Sequence, residues 1–470
     1  MRHIFSLILS IISLIFWFSY YTITDGATID TYIDSPFGIH GKTYELGLPV
    51  NPPPGLKENL SMQYQKLGLK SETDWNNKIA GFEKDIGIKW DRIGLGFTLA
   101  NDLITRADRL VQNTNKQGVN LVFTISYQNR PIPGNDEADR IQQLVERYDG
   151  DGVNDMPGLT QPVLYWQIGN EPEGRVKPEE YLELLKYAYK SVKKASPRCQ
   201  VILAGLEVRT SPEPTFIDSI LKSGAGAYFD ILDIHIFGNA RGEYHQIEKK
   251  YLETQKILKK YGVDKPIWIT ETGTASGTFI FPREPDKKFS QTEKEQAIDL
   301  VHRYIISLGL GIKKVFWAWG LVEDYGFMRS IDGFFDHTGL IYNGLGLDDQ
   351  GPFVKKLSYY SYKKMIEKLE GSDWSKTSRM GNLPIGINGV RFIKSGKPIY
   401  VLWSDYESQI SIPFYIADTT ATKVTITEAI PNYDTGKQVT DYTAAFAIST
   451  AAVKKGAVTV ILSDKPVYIE

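Results

Sequence analysis

Two stretches of the sequence decide the fold: Trp166-Gln-Ile-Gly-Asn-Glu-Pro172 and Ile267-Trp-Ile-Thr-Glu-Thr-Gly273. Each belongs to an apolar run and places one glutamate, Glu171 or Glu271, where that run ends. Short apolar runs bounded in this way predict buried strands, and Pro172 ends the first of them because proline cannot pair within a central strand. The two stretches therefore predict strands that carry carboxylates at their carboxyl ends.

Six further apolar runs accompany these two, and segments with helical periodicity separate them. The predicted strands are Phe37–His40, Trp90–Gly94, Val119–Tyr127, Val163–Ile168, Gln200–Ala204, Ile231–Ile236, Pro266–Thr270 and Lys313–Ala318. Alternation of strands and helices is typical of a parallel sheet. Eight such units favour an α/β fold of the (β/α)8 TIM-barrel type over an open doubly wound sheet, and the carboxyl ends of its strands meet at one mouth.

The helices are indicated by apolar stripes and by signals at their first turns. One stripe follows Pro178, a residue favoured at helix starts, and consists of Tyr181, Leu184, Leu185, Ala188, Tyr189 and Val192. A second stripe runs from Ala297 to Leu308, and Ser290 with Glu293 forms a capping-box pattern ahead of it. These patterns predict one helix beginning near Pro178 and another beginning after Ser290.

The N-terminal residues 1–26 differ from the rest of the chain. An almost uninterrupted apolar stretch, residues 4–23, follows Arg2, and this pattern predicts a signal peptide or an N-terminal membrane anchor. Arg2 favours a cytoplasmic N-terminus. We therefore expect the protein to be exported: extracellular, periplasmic, or tethered to the outer side of the cytoplasmic membrane through residues 4–23.

Domain organisation follows from a change of character near the end of the last predicted helix. The barrel is expected over residues 35–370, and β-rich runs separated by turns predict a small antiparallel β-sandwich over residues 380–470. Trp403 and Tyr406 of this accessory domain are candidate aromatics for stacking on a ligand, although aromatics that alternate along a strand more often belong to a core.

Composition argues against several partners. The 470 residues contain 54 Lys and Arg against 56 Asp and Glu, so the formal net charge is −2, whereas nucleic acid and anionic membrane surfaces attract a positive patch. Neither a Gly-x-Gly-x-x-Gly turn after the first strand nor a complete Walker-type loop is present, and no cofactor or metal is predicted. Cys199 is the only cysteine and is expected to be a small core residue.

The paired glutamates carry the functional prediction. Cleavage of a glycosidic bond uses two carboxyl groups on either side of the bond, one as proton donor and one as nucleophile or base. Taken alone, Asn170-Glu171-Pro172 is also an ordinary strand-to-helix turn. Glu271, three strands later at the same mouth, favours the catalytic interpretation, with Glu171 as acid/base and Asn170 as a hydrogen-bonding partner of a sugar hydroxyl.

The barrel region resembles the clan A retaining glycoside hydrolases, whose barrels carry an Asn-Glu acid/base after strand four and a nucleophilic Glu after strand seven. Within that clan it is most similar to glycoside hydrolase family thirty-nine, the relatives of β-xylosidases and α-iduronidases, which also append a β-sandwich. The resemblance implies that Glu271 is the nucleophile, that Glu171 is the acid/base, and that hydrolysis proceeds by double displacement.

The same resemblance implies further substrate-binding positions. Arg92, in Trp90-Asp-Arg-Ile-Gly94, matches a second-strand arginine that keeps the nucleophile ionised, and its alternative is a salt bridge inside the barrel. His235 matches a sixth-strand histidine near the catalytic pair, and its alternative is a core histidine. His40 is at a first-strand position that contacts the sugar.

Aromatic residues complete the predicted site. Trp317 and Trp319 end the eighth strand, where an indole forms the floor under a pyranose, and Trp317 is favoured because strand alternation points one of them away. Phe237 departs from the clan pattern, which has a tyrosine that hydrogen-bonds the nucleophile. Tyr127, at the end of strand three, is the candidate replacement. The long loops 273–290 and 320–357 are expected to form walls of the mouth.

The sequence thus predicts an exported retaining O-glycosidase that acts on an oligo- or polysaccharide. Two alternatives remain at this point: a transglycosylase that uses the same site, and a catalytically silent glycan-binding protein. A barrel with only a structural role would leave the paired glutamates unexplained.

Overall fold

A computed structural model describes residues 34–40, 65, 67–96, 103–126, 135–207, 216–281, 284–323, 333–344, 349–416 and 420–470. The chain divides into two compact units, Met1–Asp34 and Ser35–Glu470, and every element given below belongs to the second. The predicted signal peptide or anchor, residues 1–26, lies outside the described residues. Within the described ranges, no helix combines the length and the apolar character needed to span a bilayer.

Eight parallel strands form a closed barrel, which confirms the predicted fold class. They are β1 (Phe37–His40), β2 (Trp90–Gly96), β3 (Asn120–Ser126), β4 (Tyr165–Asn170), β5 (Gln200–Glu207), β6 (Leu232–Phe237), β7 (Ile267–Gly273) and β10 (Val315–Ala318). Neighbours in sequence are neighbours in the barrel, and β1 closes the sheet by pairing with both β2 and β10. Buried apolar side chains along these strands fill the space under the surrounding helices.

Helices follow the strands in the order expected of strand–helix units. They are α1 (Glu72–Ile86), α2 (Leu103–Gln117), α3 (Asn135–Glu146), α4 (Pro178–Ala195), α5 (Phe216–Lys222), α6 (Gln246–Lys260), α7 (Glu293–Gly309) and α8 (Leu357–Leu369). Helix α4 begins at Pro178 as predicted, and residues of its apolar stripe, including Leu185 and Val192, are buried. Cys199 is fully buried in the same core.

The predicted cap of helix α7 is corrected by two residues. Thr292 is the N-cap, and its side chain exchanges hydrogen bonds with Glu295 in a capping box. Ser290 instead belongs to β9 (Lys288–Gln291), which pairs with β8 (Gly277–Ile280) in a hairpin. Both Ser290 and Thr292 are followed three residues later by glutamate, and strand pairing selects the second.

An antiparallel sandwich follows α8. Strands β11 (Ser378–Arg379), β12 (Ile387–Lys394), β13 (Lys397–Ser404), β15 (Lys423–Glu428), β16 (Ile448–Ala452) and β18 (Val467–Ile469) form a six-stranded sheet, and β14 (Ile410–Tyr415) pairs with β17 (Ala457–Leu462). Alternate residues of β13 serve two cores. Tyr400 and Leu402 face the sandwich interior, whereas Val401 and Trp403 belong to the apolar cluster of the barrel.

The sandwich and the barrel therefore share a core. Trp403 is fully buried, its Nε1 donates to the Tyr244 hydroxyl at 3.0 Å, and its ring lies 4.9 Å from that of His302. This placement removes Trp403 from the candidate sugar-binding aromatics, whereas Tyr406 is exposed. Glu293, at the start of α7, accepts a hydrogen bond from the Gly436 backbone N–H of the sandwich at 2.7 Å.

Candidate active site

Both glutamates singled out in the sequence lie at the carboxyl ends of barrel strands. Glu271 is on β7 and is almost fully buried, whereas Glu171 immediately follows β4 and its side chain is 28% exposed. One carboxylate oxygen of each lies within 4.8 Å of the other. The pair thus consists of a deep carboxylate and a more accessible one that face the same mouth.

The backbone at Glu171 holds an unusual conformation. Its φ is +45°, and Gly169, two residues earlier, has φ +85°. A non-glycine residue in this left-handed region costs on the order of 1–2 kcal/mol, and such conformations persist where surrounding contacts impose them. Here the Glu171 backbone N–H donates to the oxygen of Gly205 on β5 at 3.0 Å, which fixes the turn.

Arg92 on β2 connects the two segments. Its Nη1 donates to Glu271 Oε1 at 2.5 Å, and its Nη2 donates to Asn170 Oδ1 at 2.6 Å. The third contact is from Nε to Gln167 Oε1, also at 2.6 Å. The guanidinium is 1% exposed, so its positive charge is neutralised inside the barrel by the Glu271 carboxylate.

His235 on β6 lies between the two glutamates. Its Nδ1 is 3.0 Å from Glu171 Oε1 and 3.6 Å from Glu271 Oε2. The other ring nitrogen, Nε2, is 3.2 Å from Thr270 Oγ1 and 3.3 Å from Asp233 Oδ2. This fully buried imidazole therefore contacts three carboxylates, and its Nδ1 joins the two candidate catalytic groups.

The charges around the two glutamates determine the protonation states of Glu271 and His235. Burial by itself raises the pKa of Glu271, but His235, His40 and Arg92 outweigh burial and hold that pKa well below its usual range. Burial by itself lowers the pKa of His235, but the carboxylates around it outweigh burial and raise that pKa to about 10. At neutral pH Glu271 is thus ionised, and His235 is the imidazolium cation with a proton on both ring nitrogens.

His40 on β1 is the third residue beside Glu271. Its Nδ1 lies 2.8 Å from the backbone oxygen of Arg92, which only accepts, so Nδ1 carries a hydrogen. Nε2 is 3.2 Å from Glu271 Oε1 and donates to it only when the ring is protonated. Burial and the charge of Arg92 lower the pKa of His40 despite the presence of Glu271.

Glu173, two residues after Glu171, is a carboxyl group that the sequence analysis did not single out. Burial raises its pKa to about 7, and the negative charges of Glu171 and Glu207 contribute to the rise. It therefore changes charge near neutral pH beside the candidate acid/base.

The aromatic side of the mouth differs from the prediction. Trp317 is fully buried, and its Nε1 donates to the Thr338 oxygen at 2.8 Å. Trp319 is partly exposed, and its ring lies 5.3 Å from His40 and 5.8 Å from Phe335. The structure thus reverses the preference for Trp317. The reason is that β10 ends at Ala318, so strand alternation does not govern Trp319.

Phenylalanines extend this aromatic side. Phe237 on β6 contacts Phe335 with ring centroids 5.0 Å apart, and the β8–β9 hairpin adds Phe279 and Phe289. The predicted loop 273–290 thus contains most of the paired strands β8 and β9. Tyr127, the predicted replacement for the missing tyrosine hydroxyl, lies outside the described residues.

Several residues that the sequence-based prediction did not identify lie behind the two glutamates. Gln167 on β4 accepts from Arg92 and donates to Asp233 Oδ2 at 2.5 Å, and Asp233 accepts from the Thr270 backbone N–H at 2.8 Å. Polar residues inside apolar strands were the available signal for Gln167 and Asp233. Gly205 on β5 gave no such signal, yet a Cβ built on it would lie 1.8 Å from His235 Nε2.

Glu171, His235 and Glu271 also place one potential metal-ligand atom each within 4.8 Å of one another. A histidine binds a metal only through a neutral imidazole nitrogen with a free lone pair. The raised pKa of His235 keeps its ring protonated, and a protonated Nδ1 donates to the carboxylates instead of binding a cation. The chemistry that the group supports directly is proton donation and nucleophilic attack by carboxylates.

Comparison with known proteins supports the fold. No protein-family model and no curated protein sequence matches the chain. Among solved structures, it is similar to a family 39 glycoside hydrolase from Bacteroides cellulosilyticus WH2, with a TM-score of 0.62, 16% identity, and coverage of 92% of this chain and 80% of that chain.

Two further structures give the same result. A GH51 α-L-arabinofuranosidase from Thermotoga petrophila RKU-1 has a TM-score of 0.59 and 14% identity over 93% of this chain and 96% of that chain. A glucosidase from Croceicoccus marinus has a TM-score of 0.57 and 14% identity over 83% and 91% of the two chains. At these identities the similarity establishes a shared fold, and it confirms the resemblance at that level.

Proposed function

We propose that this protein is a retaining O-glycosidase in which Glu271 is the nucleophile and Glu171 is the acid/base. The separation of the two carboxyl groups is the main support. Retaining enzymes hold them roughly 5–5.5 Å apart, whereas inverting enzymes leave about 6.5–9.5 Å for a water molecule. An oxygen of Glu171 lies within 4.8 Å of one of Glu271, which favours the retaining arrangement.

In the first step Glu271 attacks the anomeric carbon while Glu171 protonates the departing oxygen, so a glycosyl–enzyme ester forms and the aglycone leaves. The lowered pKa of Glu271 supports its role, since an ionised carboxylate is required for attack. The proton for the leaving oxygen is available along the 3.0 Å contact between His235 Nδ1 and Glu171 Oε1.

In the second step Glu171 removes a proton from water, and the resulting hydroxide attacks the anomeric carbon and releases Glu271 with net retention of configuration. Arg92 stabilises the carboxylate of Glu271 before attack and again after release, because its Nη1 donates to that side chain in the free protein. The greater exposure of Glu171 supports its access to water in this step.

The walls of the mouth support our proposal for the substrate class. Aromatic rings stack on the apolar face of a pyranose, and Trp319 beside His40 is the described ring placed for that contact. Asn170 and His40 supply polar groups for sugar hydroxyls. The near-neutral formal charge of the chain fits a neutral or mildly charged β-linked oligo- or polysaccharide.

Export is part of the proposal. It rests on the apolar stretch of residues 4–23 after Arg2, which is typical of a signal peptide or anchor and would place the barrel outside the cytoplasm. Protease accessibility of the full-length protein tests it, in cells whose cytoplasmic membrane is intact and whose outer membrane, where one exists, has been permeabilised. A cytoplasmic protein would be protected.

The experiment that tests the activity traps the intermediate. The full-length protein is incubated with activated 2-deoxy-2-fluoro glycosides of several sugars, in which the fluorine slows breakdown of the glycosyl–enzyme ester. Intact mass and peptide mapping then locate the adduct. We expect one sugar to label Glu271, which would identify the nucleophile and the sugar together.

Matched variants sharpen this test. Glu271→Gln should abolish labelling, whereas Glu407→Gln, an exposed glutamate of the sandwich, should label as the wild type does. Labelling at another carboxylate would remove Glu271 from its role. If no reagent labels the protein and natural glycans bind without being cleaved or transferred, the chain is a silent glycan-binding protein and the proposal fails.

A further inference from the structure

A short acidic loop lies at the end of the barrel opposite the paired glutamates. It connects α3 to β4 and contains Asp149, Asp151 and Asp155 within Asp149-Gly-Asp-Gly-Val-Asn-Asp155. Glu171 follows the carboxyl end of β4, so a loop at the amino end of β4 is remote from the catalytic chemistry. Residues at that face of a barrel ordinarily contribute to stability.

The three aspartates converge. Each offers one carboxylate oxygen, and these oxygens lie within 4.8 Å of one another. Two oxygens on opposite sides of a Ca²⁺ ion bound at 2.3–2.6 Å are about 4.6–5.2 Å apart, so one ion can contact all three. Three carboxylates in so small a volume repel one another, and a cation between them would remove that repulsion.

Asp149 supplies an independent observation. This residue is fully buried, and the Asp151 backbone N–H donates to its Oδ1 at 3.4 Å. Its Oδ2 is also buried and accepts no hydrogen bond among the described residues. A buried carboxylate oxygen without a partner is costly, and buried charges are ordinarily paired or bound to a metal. Arg198 does not fill this role through its observed hydrogen bond, because that bond goes from Nη2 to the Asp149 backbone oxygen at 2.7 Å.

The loop is shaped around the other two aspartates. Asp155 accepts from the backbone N–H groups of Gly150 at 3.1 Å and Gly152 at 2.7 Å, and Asp151 accepts from Val153 at 2.8 Å. These bonds hold the side chains on the inner side of the turn. Each carboxylate oxygen retains a second lone pair for a cation.

We propose that this loop binds one Ca²⁺ ion through carboxylate oxygens of Asp149, Asp151 and Asp155. The donor set consists of oxygen, which hard cations prefer, and it contains neither histidine nor cysteine. Ca²⁺ suits a loop that combines carboxylates with backbone oxygens and water, whereas Mg²⁺ demands a stricter octahedron. The ion clamps the entry to β4, and it is independent of the proposed glycosidase activity.

The test measures binding and stability of the full-length protein after chelation with EDTA and removal of the chelator. We expect isothermal titration with Ca²⁺ to give one site. We also expect the midpoint of thermal unfolding to rise by roughly 3 °C when free Ca²⁺ reaches about 100 times Kd. No binding heat together with an unchanged midpoint would overturn the proposal, and an equal response to Mg²⁺ would overturn the choice of ion.

Variants locate the site. Asp151→Asn changes an exposed ligand and Asp155→Asn keeps one acceptor oxygen, so each should fold yet bind Ca²⁺ at least tenfold more weakly. Asp264→Asn, an exposed aspartate before β7, removes the same charge elsewhere and should bind as the wild type does. Wild-type affinity in both loop variants would place the ion elsewhere and refute the assignment.

Discussion

The substitution Gly205→Ala tests whether the position of His235 controls the proposed reaction. A Cβ at this position would lie 1.8, 2.3 and 2.4 Å from three ring atoms of His235, whereas ordinary contact begins at 3.4 Å. The ring must therefore retreat by about 1.6 Å, the difference between 3.4 and 1.8 Å. It is fully buried, so this movement breaks its 3.0 Å contact with Glu171.

The expected loss follows from these distances. A displacement of about 1 Å in a catalytic arrangement costs on the order of 100-fold in rate, and overpacking a core costs about 1–3 kcal/mol of stability. We expect Gly205→Ala to remain folded and to lose at least about 100-fold in kcat/KM. The assay uses the glycoside that the wild-type protein turns over, with circular dichroism and thermal unfolding to verify the fold.

Gly81→Ala is the matched control. Gly81 lies in helix α1 on the outside of the barrel, and a Cβ built there meets nothing within 4 Å, so activity should stay within about twofold of wild type. A folded Gly205→Ala protein with wild-type kcat/KM would refute the reasoning, because His235 could then move without consequence for the reaction.

Three further predictions concern charge and packing. The carboxylates around His235 outweigh burial and raise its pKa to about 10, above the ordinary value of about 6.5. The contribution of His235 to stability is therefore fully present below pH 6.5 and is lost as pH rises through about 10. The free energy of unfolding between pH 7 and 10 should therefore fall less steeply in His235→Gln, and parallel pH profiles would contradict this. Arg92→Met leaves the buried carboxylate of Glu271 without its closest cation and should lower the free energy of unfolding by about 3–5 kcal/mol, measured by urea unfolding. A loss below about 1 kcal/mol would show that the ion pair between Arg92 and Glu271 contributes little. Trp403→Phe removes the hydrogen bond to Tyr244 together with part of a buried ring, so we expect a loss of about 1–3 kcal/mol with unchanged kcat/KM, and a change in kcat/KM would mean that this junction reaches the site.

The barrel could be predicted because its strands are buried on both faces and therefore read as apolar runs between helices. All eight predicted strands overlap observed ones, and Glu171 and Glu271 fall at the expected strand ends. The sandwich was also predicted, as β-rich runs over residues 380–470 without bounds for its strands. Strand β16 is mostly exposed, so it lacks the apolar alternation by which half-buried strands are recognised.

The contacts that His235 makes behind the two glutamates could not be predicted, because they depend on the register between neighbouring strands that are far apart in sequence. His235 lies opposite Glu271 across β6 and β7, and the register shifts between Asp233 and His235. Such an irregularity decides which side chains meet, and neither strand encodes it alone. The close approach of His235 to Gly205 is likewise a property of two neighbouring strands.

The core shared by the barrel and the sandwich limits how such a chain can diversify. In many multidomain enzymes an accessory domain is exchanged by recombination, because a flexible linker separates two independent cores. Here Trp403 of the sandwich donates a hydrogen bond to Tyr244 of the barrel. A backbone N–H of the sandwich also donates to Glu293 at the start of α7. Gene fusion or domain swapping at the junction would leave an open apolar surface on both halves, so inheritance as one piece is the expected evolutionary outcome.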